Sequence, residues 1–402
     1  MSAPYLAEPA RQPVWFLALF ALAAAGGAVG YVPLLTVLLP QHIAELQGGE
    51  DVAALAQVTF LGAVMASFAN IGVGMLSDRS AVRRPWIIAG LIASNVLLIA
   101  VGRAGSVAEL IVLVMAWQVA LNLMLAPLTA WGGDCFPDAQ KGVLGGALAL
   151  APALGALSGS LVTITGLVPP DARLVLAALL VGVLVLPAVV FGGGRVRPTL
   201  MEPMIQPTAV ASDPLRSRNR VVVRMWTARL LVQVAEGGMF AFLLYWLRSL
   251  APDYPENGAA NIFSAVLVCA VPLSLMLGRW SDRHARPVLP LVTCAVLCGA
   301  GMLVMAAAGT LNTAIAGYVL FAIAAAIFLA LHSSQTLRVL PAPQHRARDL
   351  GLFNLTNTVP AMVMPWLTVL LVPSFGYSAL FVLFAVLSLL SAVLLAASAR
   401  RP

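Results

Sequence analysis

The chain has 402 residues, 61% of them hydrophobic and 10% charged, with a net charge of +7 and a mean hydropathy of +0.95. That composition excludes a water-soluble domain, because so little polar area cannot cover so much apolar surface. The basic excess by itself would fit a nucleic-acid surface, but the positions of the charges, given below, exclude that too.

A membrane helix needs roughly 20 apolar residues. Charged and Pro/Gly-rich breaks delimit twelve such runs, predicted at 14–39, 52–77, 85–102, 108–133, 142–166, 173–191, 221–247, 259–278, 287–307, 312–337, 351–372 and 376–398. The leader before the first run, MSAPYLAEPARQP, is long and holds Glu8. That run also exceeds the apolar core of a signal peptide, so it reads as a retained span. With the N-terminus inside, all but four of the 23 Lys and Arg fall on the inner side. Arg103, Arg173 and Arg248 fall outside, and Arg229 lies within a span. This is the positive-inside pattern, with both termini cytoplasmic. The charge therefore reports topology, and no nucleic-acid partner is expected. Lys141 is the only lysine among many arginines. That bias fits a GC-rich bacterium and places the chain in an inner membrane.

Cys135, Cys269, Cys294 and Cys298 lie in or beside predicted spans, and no His or carboxylate completes a metal set around Cys294 and Cys298. They read as small core residues. His42, His284, His332 and His345 form no metal or triad pattern; His332 reads as packed and neutral. No Walker loop is present, and no metal or organic cofactor is expected.

The chain repeats itself at a fixed offset. Gly74 and Gly278, Ser77 and Ser281, Asp78 and Asp282, and Arg79 and Arg283 are each 204 residues apart, as are Pro137 and Pro341, and Gln140 and Gln344. One offset at two separate places indicates duplicated six-helix halves, 1–191 and 221–402. They are joined by a Gly-, Pro- and Arg-rich cytoplasmic linker over 192–220. Transporters use such halves, with the substrate site between them. The expected fold is an all-α membrane protein of twelve transmembrane helices in two pseudo-symmetric halves.

The loops carry a family resemblance. GMLSDRSAVRRPW at 74–86 and GRWSDRHARP at 278–287 follow the second and eighth spans. They resemble the signature loop of the major facilitator superfamily, and the resemblance extends over the whole chain. More narrowly, SDR followed by Arg83-Arg84-Pro85-Trp86, together with RDLGLFN at 348–354, is similar to glycoside–pentoside–hexuronide:cation symporters and sucrose carriers. Ser80-Ala81-Val82 departs from the usual aromatic-Gly-Arg tract, and the second span lacks the carboxylate of sodium-coupled members. The resemblance implies solute transport by alternating access, with a sugar or glycoside imported together with protons.

In physical terms, Gly74 and Gly278 let a neighbouring helix approach closely. Asp78 and Asp282 are placed to accept hydrogen bonds from free N–H groups at another helix's N-terminus. The expected partners are the eleventh helix near Asp349 to Leu352 for Asp78, and the fifth near Gly142 for Asp282. Both contacts cross the halves and form a cytoplasmic gate. Arg79, Arg83, Arg84, Arg283 and Arg286 either pair with these aspartates or only hold the loops inside.

The seventh span places Arg229, Gln233 and Glu236 on one helical face. Ionisable groups at bilayer depth are functional by default. Glu236 is the candidate proton carrier, since burial there favours a carboxyl that loads and releases a proton. Arg229 is either a substrate or counter-charge ligand, or a cation snorkelling to the interface. About 10 Å of axial rise separates it from Glu236. Either Gln233 bridges the two, or each has partners on other helices. Gly237-Gly238 would allow bending after Glu236. Gln118, Asn122, Tyr31, Asn354 and Asn357 are further cavity candidates, and Trp117 and Trp366 are candidate sugar platforms; for each the bland alternative is interhelical packing.

The leading expectation is a proton-coupled sugar or glycoside symporter acting as a monomer. The alternative is a proton-driven exporter of drugs or metabolites. No clustered catalytic set suggests an enzyme. A static receptor would not need two matched breakable contacts.

Overall fold

The computed structural model describes residues 11–48, 52–80, 82–164, 166–192, 214–254, 256–340 and 345–399. Among these the structure is helical, with no strand. A bilayer offers no partner for backbone N–H and C=O groups, so apolar runs of this length satisfy them internally as helices. The helices are α1 (Val14–Gln47), α2 (Val52–Ser80), α3 (Arg84–Val101), α4 (Val107–Cys135), α5 (Lys141–Val162), α6 (Arg173–Phe191), α7 (Pro214–Leu250), α8 (Glu256–His284), α9 (Leu289–Ala306) and α10 (Leu311–Val339). The final run, Arg346–Ala399, breaks at Gly376, where φ is 72° and ψ 177°. Glycine alone adopts that backbone readily, and it separates α11 from α12 without a loop.

Among the described residues ten of these helices are long and apolar enough to cross a membrane. The two other expected spans, 221–247 and 351–372, fall within α7 and α11. Three boundaries differ from expectation. Helix α1 continues past Pro33 through a π-turn at Leu34–Leu38 and on to Gln47. Helix α7 starts at Pro214, so the last residues of the expected linker are already helical; residues 193–213 lie outside the described set. Helix α8 runs to His284, past the expected end at 278, and α7 is one continuous helix through Gly237-Gly238.

The duplication is visible in the helix starts. Ser106 caps α4 by accepting from the Glu109 N–H at 3.2 Å. Thr310 caps α10 by accepting from the Thr313 N–H at 3.3 Å. Both pairs stand at the same offset (310 − 106 and 313 − 109 are each 204). A side-chain oxygen there replaces an acceptor that the helix itself cannot supply. Side chains pack into two apolar cores. One draws on α1–α6 and is joined by Leu337; the other draws on α7–α12. Trp131 and Trp246 are buried in these cores, whereas Trp15 and Trp280 are exposed.

Candidate functional site

Two clasps join the cores at the Arg-rich end of the bundle. In the first, Asp78 at the end of α2 accepts from the Ala347 N–H at 3.1 Å and the Arg348 N–H at 3.0 Å. These are the opening residues of α11, whose first N–H groups have no partner within the helix and carry the positive end of its dipole. A Cβ on Gly74 would lie 2.6 Å from the Ala347 carbonyl oxygen, so only glycine permits this approach. A row of charges reinforces the clasp. Arg83 donates to Asp78 at 2.8 Å, to Asp134 at 3.1 Å and to the Ser77 hydroxyl at 2.9 Å. Arg346 donates to the other Asp134 oxygen at 2.6 Å. Asp78, Arg83, Asp134 and Arg346 thus alternate in sign and are buried. Burial makes such charge-assisted bonds strong and makes loss of any member costly.

The second clasp mirrors the first. Asp282 at the end of α8 accepts from the Gly142 N–H at 3.0 Å and the Val143 N–H at 2.9 Å, at the start of α5. A Cβ on Gly278 would collide with the Gly142 carbonyl oxygen, and one on Gly142 with the Asp282 carboxylate. Arg338 donates to Asp282 at 2.8 Å.

Between the cores lies a cavity of about 270 Å³. Residues of α1, α2, α4, α5, α7, α10 and α11 line it, with Leu144 and Leu337 on the side of the clasps. Among its described lining residues Arg229 is the one that carries a charge. Arg229 donates from Nε to the Thr356 hydroxyl at 3.1 Å. Its Nη1 donates to the Ser333 hydroxyl at 3.0 Å and to the Leu329 carbonyl at 3.2 Å. All three acceptors are neutral. Glu236 is half-buried and, among the described residues, makes no hydrogen bond or ion pair. Arg229, Tyr31, Cys298 and Tyr318 lie within its electrostatic reach. No group of three His, Cys, Asp or Glu able to hold a metal ion occurs among the described residues.

Residues 225–402 match the family model of the Major Facilitator Superfamily. Solved structures of this fold align over nearly the whole chain. The human organic anion transporter MFSD10 (TETRAN) has a TM-score of 0.73 and 16% identity, covering 96% of this chain and 100% of that one. The C-terminal part of the chain thus matches this superfamily by sequence, and the chain as a whole has the fold of these transporters. A bacterial homologue of the iron transporter ferroportin in an outward-facing state with soaked iron scores 0.70 at 14% identity, covering 97% and 100%. The transporter FucP in its outward conformation scores 0.68 at 14%, covering 96% and 98%. No curated protein sequence matches. The glycoside–pentoside–hexuronide branch is not singled out by these comparisons.

The geometry sorts the expected site residues. Asp78, Asp282, Gly74, Gly278 and Arg83 come together in the clasps, and Asp78 meets α11 two residues before the expected stretch. Arg79, Arg283 and Arg286 do not: they are exposed, and among the described residues their side chains have no hydrogen bond or ion pair. Arg84 donates to the Gly192 carbonyl and lies over the Trp131 ring, 5.5 Å from its centre, so it ties α3 to the end of α6 within one half. Gln233 does not bridge Arg229 to Glu236; it donates to Asn357, which donates to Asn354 at 2.6 Å. Asn354 and Asn357 line the cavity. Asn122 faces Asn70 instead, accepting from it at 2.6 Å, and Asn70 is the member that reaches the cavity. Gln118 is buried and Tyr31 is 39% exposed; neither is among the lining residues. His332 is packed, with Nε2 against the Met225 carbonyl at 3.0 Å.

Trp117 is 1% exposed and belongs to the first core, which corrects its candidacy as a sugar platform; the Trp366 side chain lies outside the described set. Trp117→Phe is therefore expected to lower the melting temperature while leaving the transport KM unchanged. Truncating a buried Trp to Ala costs about 3–5 kcal/mol, and the smaller change to Phe costs a part of that. A raised KM at unchanged stability would return Trp117 to the site.

Asp134, Arg346 and Arg338 were missed. Asp134 stands 204 residues before Arg338, with opposite charge, so a search for identical residues at the offset passes over both.

Proposed function

We propose that this protein is a secondary active transporter of the Major Facilitator Superfamily that moves a small organic solute by alternating access, coupled to protons. The observation that carries the reading is the pair of crossed clasps: non-covalent, matched, and placed between two separately packed halves with a cavity behind them. In this reading the Arg-rich end faces the cytoplasm of a bacterial inner membrane, and the clasps are the cytoplasmic gate. Both clasps and the cavity come from one chain, so the unit is a monomer.

Alternating access requires states only a few kcal/mol apart. Each clasp supplies two hydrogen bonds to a charged acceptor, worth about 1.5–3 kcal/mol each. A gate of this strength holds one end shut yet yields when the opposite end closes. Glu236 is the proton carrier. Among the described residues its carboxyl has no fixed donor, and it shares a helix face with the cavity's cation. Tyr31 from α1, Cys298 from α9 and Tyr318 from α10 feel its charge, and among the described residues Arg229 is the charged group within its reach. Solute and proton binding on one face are then linked reciprocally.

A sugar or glycoside as solute is supported by the loop resemblance and by the amides of Asn70, Asn354 and Asn357 along the cavity. The experiment is proton flux in proteoliposomes containing a pH-sensitive dye, with sugars, glycosides, organic acids and amphiphilic drugs added outside. The expected outcome is inward proton movement triggered by one solute class. Glu236→Gln keeps size and polarity but cannot exchange a proton. It should retain solute counterflow and lose proton-driven accumulation by at least tenfold. Accumulation at the native level by Glu236→Gln would remove Glu236 from the coupling path, and a gradient that expels amphiphiles would replace import by export.

A further inference from the structure

We infer that the solute carries one negative charge: the cavity takes a small organic acid with an apolar body, its carboxylate paired with Arg229. The inference rests on the transport reading above, narrows its small organic solute to an acid and sets the sugar or glycoside aside. A guanidinium at bilayer depth is expensive unless something offsets its charge, and buried charges are ordinarily paired. Arg229 breaks that pattern. Its Nε and Nη1 donors meet two hydroxyls and one carbonyl, which fix its direction without neutralising it. Among the described residues no carboxylate lies within ion-pair distance of it, and the Nη2 donors have no partner. Inside the clasps this chain does pair its buried arginines: Arg83 and Arg346 with Asp134, and Arg338 with Asp282. Among the described arginines without an ion pair, Arg229 is the one that lines the cavity.

The rest of the lining fits such a ligand. The Asn354 side chain accepts from Asn357, and its own amide N–H groups have no acceptor among the described residues, which leaves a second donor for a carboxylate beside the guanidinium. Phe20, Leu125, Leu128, Leu148 and Phe353 supply an apolar wall for the body of the acid. At about 270 Å³ the space is below the range typical of drug-sized ligands and admits one small molecule. With one cation present, one anionic group is neutralised and a second is left unpaired, so a monoanion is selected over a dianion. A bound anion and an ionised Glu236 are like charges on one helix face. Each disfavours the other, so the acid enters with a proton on Glu236 and the pair crosses without net charge.

The test uses the purified full-length protein in nanodiscs and in proteoliposomes, with matched probes. Hexanoate and benzoate are compared with hexanamide and benzamide, which share shape but lack charge, and with succinate and methyl β-glucoside. The expected result is saturable binding of a monocarboxylate at least tenfold tighter than its amide and tighter than succinate. Arg229→Gln should abolish the difference and Arg229→Lys should restore part of it. Thermal unfolding of both variants reports whether they fold, and the acid–amide comparison on the native protein does not depend on them. Equal binding of acid and amide, or failure of every carboxylate alongside binding of the glucoside, overturns the inference. Counterflow separates the two readings. A glucoside or amide that exchanges across the membrane leaves transport standing and sinks the anion. A carboxylate that binds through Arg229 without exchanging supports the anion site and sinks transport.

Discussion

Replacing Asp78 by alanine is expected to release the start of α11 from α2 and shift the protein towards the state open at its Arg-rich end. The substitution removes two backbone hydrogen bonds to a charged acceptor and the ion pair to Arg83. It also leaves Arg83 and Arg346 sharing Asp134 alone, a buried cluster with one uncompensated positive charge. Breaking such a buried pair by removing one partner costs about 3–5 kcal/mol. At about 1.4 kcal/mol per factor of ten, the shift exceeds a hundredfold. Spin labels at the Arg-rich ends of α2 and α11 would show a longer distance in the variant, and steady transport should fall more than tenfold. Asp78→Asn keeps one acceptor oxygen and should fall between the two. Arg283→Ala and Arg286→Ala, which remove exposed side chains, should leave the distance alone. An Asp78→Ala protein with the native distance distribution would show that the clasp is not what closes this end.

Gly278→Val should be nearly as damaging, through steric contact. A side chain at 278 meets the carbonyl oxygen of Gly142, which is backbone and cannot rotate away. Overpacking typically costs about 1–3 kcal/mol, and contact with backbone belongs at or above the upper end. Helices α5 and α8 must then part, which also pulls Asp282 away from the N–H groups it caps. Transport is expected to be lost while the second core, which does not use Gly278, still forms. Gly72→Ala is the control, because a Cβ at 72 meets nothing within 4 Å. Equal activity of Gly278→Val and Gly72→Ala would refute the close approach of α5 and α8.

Much of this architecture is written in local signals. Runs such as 173–191 coincide with the helix Arg173–Phe191 because bilayer length and apolar composition leave the backbone one solution. The aspartate clasps were legible because the residue type repeats and helix N-termini have a known electrostatic need. The partner cations were not. In the first half the arginine that holds the aspartate is Arg83; its counterpart at the repeat offset is Pro287. The second half instead uses Arg338, whose counterpart is Asp134. The positive charge has moved from the loop to the end of a neighbouring helix, and only three-dimensional proximity shows that both serve the same carboxylate position. On α7 the i, i+4, i+7 spacing located Arg229 and Glu236, but which helix would hold each depended on the packing of α10 and α11, which periodicity does not encode. The same holds for Asn122, whose polarity suggested the cavity and whose neighbour Asn70 occupies it.

The two clasps differ in the forces that hold them. At α5–α8 backbone meets backbone across glycines around one carboxylate, and such contacts lose much of their attraction within an ångström of separation. At α2–α11 four buried charges alternate in a row, and Coulomb attraction fades only as the inverse of distance. In the proposed alternating-access cycle the glycine contacts of α5–α8 yield most of their energy at the first displacement, while the charged row still pulls across the gap. That row works as a tether: on the return stroke it draws the halves back into one register before any close contact re-forms, and reclosure becomes a guided motion.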